Sequence, residues 1–258
     1  MSSFKIATWN VNSLRVRLPH VLSWLKSAKP EVLALQELKM PDEDFPYDEI
    51  REAGYEAAVS GQRTYNGVAI LSRQPAHDKL TDLPGLDDHQ RRVMCVTIGD
   101  IRILNLYVPN GESVESDKYQ YKLNWLKKLD AYVKQELKKH PKMIILGDFN
   151  IAPDEIDVHD PKHWDGHVLF SAPERKALKE LLQIGFHDCF RELSPTDKSY
   201  SWWDYRMNAF KRNMGLRIDH ILASTTLMQN CKACHIDKIP RTLERPSDHT
   251  PVIAEFSS

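Results

Sequence analysis

Long apolar runs are missing from this sequence. None approaches the roughly 20 residues needed to cross a bilayer, which excludes a membrane-spanning helix. Met1-Ser2-Ser3-Phe4-Lys5 lacks the basic start and apolar stretch of a secretory leader, so a cytoplasmic protein with no membrane partner is expected. Cysteine is sparse: Cys95, Cys189, Cys231 and Cys234 do not make a disulfide framework in 258 residues, and reduced thiols are expected. Cys231-Lys232-Ala233-Cys234 has CxxC spacing, but a structural zinc site usually closes with two such pairs. The single pair reads as an accident of a strand near the surface. Net charge is −1, so no global excess of either sign advertises a polyanionic partner, although a local basic surface would suffice for one. No low-complexity tract, repeat or Pro/Gly/Ser linker divides the chain, and one domain over residues 1–258 is expected.

What is present is the balance of a globular protein, 41% hydrophobic and 28% charged. Four apolar runs end in polar side chains. Met143-Ile144-Ile145-Leu146 leads into Gly147-Asp148-Phe149-Asn150, where Gly147 is expected to let the backbone turn as the strand ends. Lys5-Ile6-Ala7-Thr8-Trp9-Asn10 ends on an amide, and Val32-Leu33-Ala34-Leu35-Gln36-Glu37 on a carboxylate. Ile103-Leu104-Asn105-Leu106-Tyr107-Val108-Pro109-Asn110 ends on a phenol and an amide. Strand ends gathered at one sheet edge would make a concave polar site.

The remaining pattern places strands near 4–10, 31–37, 56–60, 67–72, 92–98 and 101–108, the last two joined by a tight hairpin at Gly99-Asp100. Others fall at 143–148, 199–203, 218–223, 232–238 and 251–256. Helices are predicted over 13–28, closed by Pro30, over 115–139 and over 174–184. The polar stretch 152–172 is long for a simple connection and reads as a functional loop. Consecutive strands argue against a doubly wound parallel sheet, and the helices between strand groups argue against an all-β sandwich. Two mixed sheets packed face to face, with helices outside both, satisfy both constraints.

Two more segments complete the polar set: Arg217-Ile218-Asp219-His220 and Ser247-Asp248-His249-Thr250. A partly buried aspartate needs a partner, and Asp219 with His249 is the obvious couple. Glu37 among amides and carboxylates suits a hard, oxygen-seeking ion such as Mg²⁺, with Mn²⁺ as a substitute. A metal, a basic carboxylate and an imidazolium together meet the demands of in-line attack of water on a phosphodiester. Acyl transfer is disfavoured, because no nucleophile-elbow motif accompanies the Asp-His pair.

These segments, extended to Trp9-Asn10-Val11-Asn12-Ser13-Leu14-Arg15, Leu35-Gln36-Glu37-Leu38-Lys39, Leu106-Tyr107-Val108-Pro109-Asn110-Gly111 and Gly147-Asp148-Phe149-Asn150-Ile151-Ala152, resemble the exonuclease III type of enzyme. That is the abasic-site endonuclease branch of the endonuclease/exonuclease/phosphatase superfamily. The matching blocks run in the family's order from residue 9 to 251. The resemblance implies a four-layer α/β sandwich. It also implies a Mg²⁺-dependent phosphodiesterase that incises duplex DNA 5′ to abasic sites, clears blocked 3′ ends and degrades strands 3′ to 5′. By the same resemblance Glu37 is the principal metal ligand, with Asn10 near it and Asp248 serving a metal or its waters. Asp148, Asn150 and His249 belong to both the metal and the catalytic sets, Tyr107 contacts phosphate or helps the leaving group, and Asp219 orients His249.

Aromatics and cations alternate in Ser201-Trp202-Trp203-Asp204-Tyr205-Arg206, as in surfaces that stack on bases or sugars and meet phosphate. The candidate DNA contacts are Arg92, Asn110, Trp202, Arg206, Leu216, Arg217 and Ile218, and the resemblance implies that Trp202, Leu216 and Ile218 line an apolar pocket for an extruded base-free sugar. Structural readings stand beside these: Asn12 as a helix cap, Trp203 in the core, and Lys134, Lys138, Lys139 and Lys142 as a solvated face. The partner is double-stranded DNA with abasic sites or 3′ ends, met by a monomer. A phosphatase of small phosphate esters such as phosphoinositides, on the same fold, is the alternative.

Overall fold

Alternation of side chains along each strand decides what the strands bury. The structure, a computed structural model, describes residues 3–257; Met1 and Ser2, which carry part of the leader reading, and Ser258 lie outside the described residues. The strands are β1 Ser3–Asn10, β2 Val32–Gln36, β3 Glu56–Ser60, β4 Val68–Ser72, β5 His77–Leu80, β6 Val93–Ile98, β7 Ile101–Tyr107 and β8 Met143–Asp148. After these come β9 Phe186–Asp188, β10 Trp202–Trp203, β11 Gly215–Leu216, β12 Asp219–Ser224, β13 Cys231–Ile236 and β14 Val252–Ser257. The helices are α1 Leu14–Ala28, α2 Tyr47–Glu52, α3 Asp117–Lys139, α4 Pro161–Trp164, α5 Ala172–Gln183, α6 Cys189–Leu193 and α7 Thr225–Met228.

Two six-stranded sheets result, in the orders β13-β14-β1-β2-β4-β3 and β5-β6-β7-β8-β12-β9. Each is mixed, with one parallel pair, β1 with β2 and β7 with β8. In β2, Val32 and Ala34 face the other sheet while Leu33 and Leu35 face α1; in β8, Ile144 and Leu146 face inward while Met143 and Ile145 face α3 and α5. Three apolar clusters therefore separate four layers, the two-sheet sandwich with outer helices that the sequence pattern predicts. Lys29, in the left-handed region (φ 49°), closes α1 just before Pro30. No helix among the described residues is long and apolar enough to cross a membrane.

Polar groups clamp the two sheets together close to the ends that carry the candidate site. Asn105 of β7 donates from Nδ2 to the carbonyls of Leu35 and Ala69 at 3.0 and 2.9 Å, and its Oδ1 accepts from Gln36 Nε2 at 2.7 Å. All of this is buried, where an unmade bond would cost about 1–3 kcal/mol.

Several local expectations are corrected. Gly147 does not turn the chain: it lies inside β8, and a Cβ there would fall 2.0 Å from the Leu106 carbonyl oxygen. It is glycine because β7 approaches too closely for any side chain. The strand expected at 199–203 shrinks to Trp202–Trp203, paired with Gly215–Leu216 in a small ribbon outside both sheets. The Cys231/Cys234 pair is not a surface accident. A bulge between Cys231 and Ala233 turns both thiols to the inter-sheet core beside Cys189. The stretch 152–172 holds the short helix α4 and packs Val158, Leu169 and Phe170 against Leu216 and Ile218, its ends tied by Ala152 N–H to the Leu169 carbonyl (2.8 Å).

Candidate active site

Antiparallel pairing of β12 with β8 sets Asp219 opposite Asp148. The chain entering β14 brings His249 between them. His249 Nδ1 lies 2.9 and 3.1 Å from the Asp219 oxygens, and its Nε2 lies 3.6 Å from Asp148 Oδ2. Glu37 follows β2 with positive φ (53°), a turn that points its carboxylate back over the sheet end. Glu37, Asp148 and His249 each offer an atom within 4.8 Å of the others, from strand ends of both sheets. This trio is what the sequence reading assembles from positions far apart in the chain.

Asn10 brackets the two acids. Its Nδ2 donates to Glu37 Oε1 and to Asp148 Oδ2, both at 2.9 Å, while its Oδ1 accepts the Asn12 N–H at 3.0 Å. Its oxygen is thus engaged away from the acids, and its amide holds the two candidate ligands in place. Asp248 is also redirected. Its oxygens accept from Asn12 Nδ2 and Trp202 Nε1 at 3.0 Å each, which ties the base of α1 to the ribbon outside the metal group. Asn12 does not cap α1; Ser13 occupies that place. Asn150 has its amide spread between Asn110 Nδ2 (3.2 Å) and the Val108 carbonyl (2.9 Å), and its N–H donates to Asp148 Oδ1 (2.9 Å).

The electrostatics follow from burial. Asp148 is 1% exposed. Loss of hydration pushes its carboxyl up to about 7, with Asp219 adding and His249 opposing. Burial alone would lower His249, but the Asp219 and Asp148 charges outweigh it and hold the ring protonated up to about 10. Burial, then the charges of Glu37 and Asp148, keep the Tyr107 phenol well above its ordinary value, so it remains an O–H donor. Arg92 lies over the Tyr107 ring, 4.7 Å from its centroid. Lys39 places its ammonium 3.0 Å from Glu37 Oε2, which shows that a cation is welcome there. Two carboxylates, with Glu37 still 16% exposed, form an oxygen-rich opening that fits a hard divalent ion.

One hollow reaches Glu37, and a second lies beside Trp202, whose backbone is bridged to that of His249. The first, of about 760 Å³, is lined by Glu37, Lys39, Arg92, Tyr107, Asn110 and Lys118 among others. The second, of about 510 Å³, has Trp164, Arg206, Met207, Met214 and His163 on its walls. Leu216 and Ile218 are not on those walls. They are 0% and 1% exposed, packed behind Trp202, so neither contacts a ligand from this position. Trp203 is in the core.

Arg217 corrects the reading most sharply. Its guanidinium is 1% exposed and pairs with Asp157 at 2.7 Å and Asp188 at 2.8 Å, out of reach of any phosphate. Arg217→Met is therefore expected to cost about 3–5 kcal/mol of folding stability by leaving carboxylates buried and unpaired. Urea unfolding measures this. Sequence reasoning also missed Ser201 and Ser247. Ser201 Oγ donates to Asp219 Oδ2 at 2.6 Å, and Ser247 Oγ donates to the Asn10 carbonyl at 2.7 Å while accepting the His249 N–H. Serine is too common in turns to signal either role.

A profile of the endonuclease/exonuclease/phosphatase family matches residues 7–249. Exodeoxyribonuclease III of Haemophilus influenzae is 36% identical over 266 positions, covering 98% of this chain and 99% of that protein. The solved structure of a 3′ phosphatase, NExo from Neisseria, bound to a product DNA hairpin superimposes with a TM-score of 0.98 at 45% identity, covering 99% of this chain and 100% of that one. An AP endonuclease from Archaeoglobus fulgidus gives 0.96 at 39% identity over 99% and 100% of the two chains.

Proposed function

This chain belongs to the endonuclease/exonuclease/phosphatase family, and from that premise we propose that it is a Mg²⁺-dependent DNA repair phosphodiesterase. It incises duplex DNA 5′ to abasic sites, removes 3′-blocking phosphates and trims strands from 3′ to 5′. The single observation carrying the reading is the meeting of Glu37, Asp148 and His249 at strand ends of both sheets. The names of the relatives support each of the three activities in a different protein.

Roles follow from protonation. A cationic His249 has no lone pair to give a metal, so Glu37 and Asp148 supply the ligand oxygens and the His249 Nε2–H faces a phosphate oxygen. A divalent ion held by these carboxylates supplies positive charge against the phosphate and the departing oxygen. Asp148 also takes the proton of the attacking water as the general base. Asp219 orients the His249 ring and balances its charge, and the Tyr107 O–H donates to the phosphate or leaving group. Arg92, Asn110 and Lys118 in the larger hollow follow the backbone of the strand, while the hollow beside Trp202 admits a base-free sugar. An abasic nucleotide has little stacking to lose on leaving the helix. The protein acts in the cytoplasm, as a monomer and one domain.

Incubation with three duplexes, carrying an abasic analogue, a 3′-phosphate or a free 3′ end, tests the reading. All three are expected to be processed with Mg²⁺ and left intact with chelator, and Mn²⁺ should restore turnover. Hydrolysis confined to inositol phosphates would replace DNA as the substrate.

A further inference from the structure

Helix α3 carries a lysine where its apolar stripe should continue. Tyr119, Trp125, Leu126, Leu129 and Val133 recur at helical spacing on its buried side, and Lys122 sits in the same row, 0% exposed. A lysine so placed requires partners for its ammonium. It finds the Glu174 carboxylate, equally buried, and two main-chain carbonyls, those of Asn110 at 3.0 Å and Asn150 at 2.7 Å. Both carbonyls belong to loops that line the candidate site, and the side chains of the same two residues bond each other at 3.2 Å. Glu174 extends the join. It accepts from Leu169 N–H, Ser171 N–H and Ser171 Oγ, which closes the loop 152–171 onto the start of α5. The fit is close: a Cβ on Gly111, whose φ is +98°, would lie 3.3 Å from Lys122 Cδ.

We propose that Lys122 is a positioning residue for the phosphodiesterase, setting Asn110 and Asn150 through their carbonyls, with Glu174 neutralising it. The inference rests on the function proposed above. Asn150 stands at a positive φ of 49° and gives its N–H to Asp148, so the ammonium on its carbonyl also fixes the carboxylate that accepts the proton. A buried ion pair is a poor source of stability, because desolvation offsets attraction. Its value here is geometric: one atom, Lys122 Nζ, holds the carbonyls of both loops just beyond the last β7–β8 pair, Tyr107 with Asp148.

The test separates geometry from stability. Lys122→Met leaves the Glu174 charge buried without its counter-ion, and both Tm and kcat should fall. Lys122→Met combined with Glu174→Gln removes the stranded charge and keeps the Ser171 contacts, so Tm should recover much of its loss. In that double variant, measured well below its Tm, kcat is expected to stay about 30-fold or more below wild type with KM little changed. In ¹⁵N spectra the side-chain amides of Asn110 and Asn150 should shift, while that of the distant Asn230 should not. A double variant that regains wild-type kcat along with its Tm, or that leaves the two amides unmoved, would overturn the assignment. Wild-type protein that cleaves no DNA would instead sink the phosphodiesterase reading, and the amide signals would then decide the positioning role alone.

Discussion

Asp148→Asn is expected to lower kcat for abasic incision by about 10³-fold or more, leaving duplex affinity unchanged or slightly tighter. The side chain keeps its size and can still accept from one of its two donors, Asn10 Nδ2 or Asn150 N–H. What disappears is the charge: an amide cannot take a proton from water, and general-base loss is worth about 10²–10⁴ in rate. Affinity does not suffer, because a lost negative charge removes repulsion from phosphate. Single-turnover cleavage paired with fluorescence anisotropy on the same duplex measures the two quantities separately. Cutting and binding that fall together would show that Asp148 holds substrate and does not act on it.

Asp219→Asn should lower kcat by about 10²–10⁴-fold and move the alkaline limb of the rate profile to lower pH. The charge of Asp219 is the main influence raising His249 to about 10 against the opposing effect of burial, and an amide withdraws it. With less to hold its proton, the ring becomes neutral earlier as pH rises and stops donating to phosphate. The direction is the same for folding. A histidine raised from 6.5 to about 10 adds stability that is complete below pH 6.5 and lost as pH climbs through 10. Thermal unfolding at pH 6 and at pH 10 should therefore differ less in the variant than in wild type. An unshifted alkaline limb would mean that another group controls it, with Tyr107 the nearest candidate.

The strands were legible because their signals are local, whereas Glu37 and Asp148 became legible as a site only together, through the set of motif blocks that carries the family resemblance. Four apolar residues before Gly147-Asp148, or Val32 to Leu35 before Gln36-Glu37, are readable from spacing alone, and burial requires an aspartate such as Asp219 to find its histidine. Partners across long separations were not legible. Arg217 stands in a block that resembles a DNA surface, and only the fold reveals Asp157, 60 residues away, beneath it. Lys122 looks like any solvated helix lysine until Glu174, 52 residues on, is seen behind it. The Asn10 amide could equally have turned its oxygen to a metal; the Asn12 N–H settles its direction. Strands as short as β5 and β9 carry too few residues to show a period. The bulge at Cys231 has no marker of its own, since what matters is the extra residue and not its type.

The convergence of both sheets on one rim has a bearing on biosynthesis. Glu37 leaves the ribosome early, Asp148 well after it, and His249 only when more than a hundred further residues have followed. A nascent chain thus holds no complete set of reactive groups until both halves of the sandwich have docked. Activity therefore waits on the docking of the last strand.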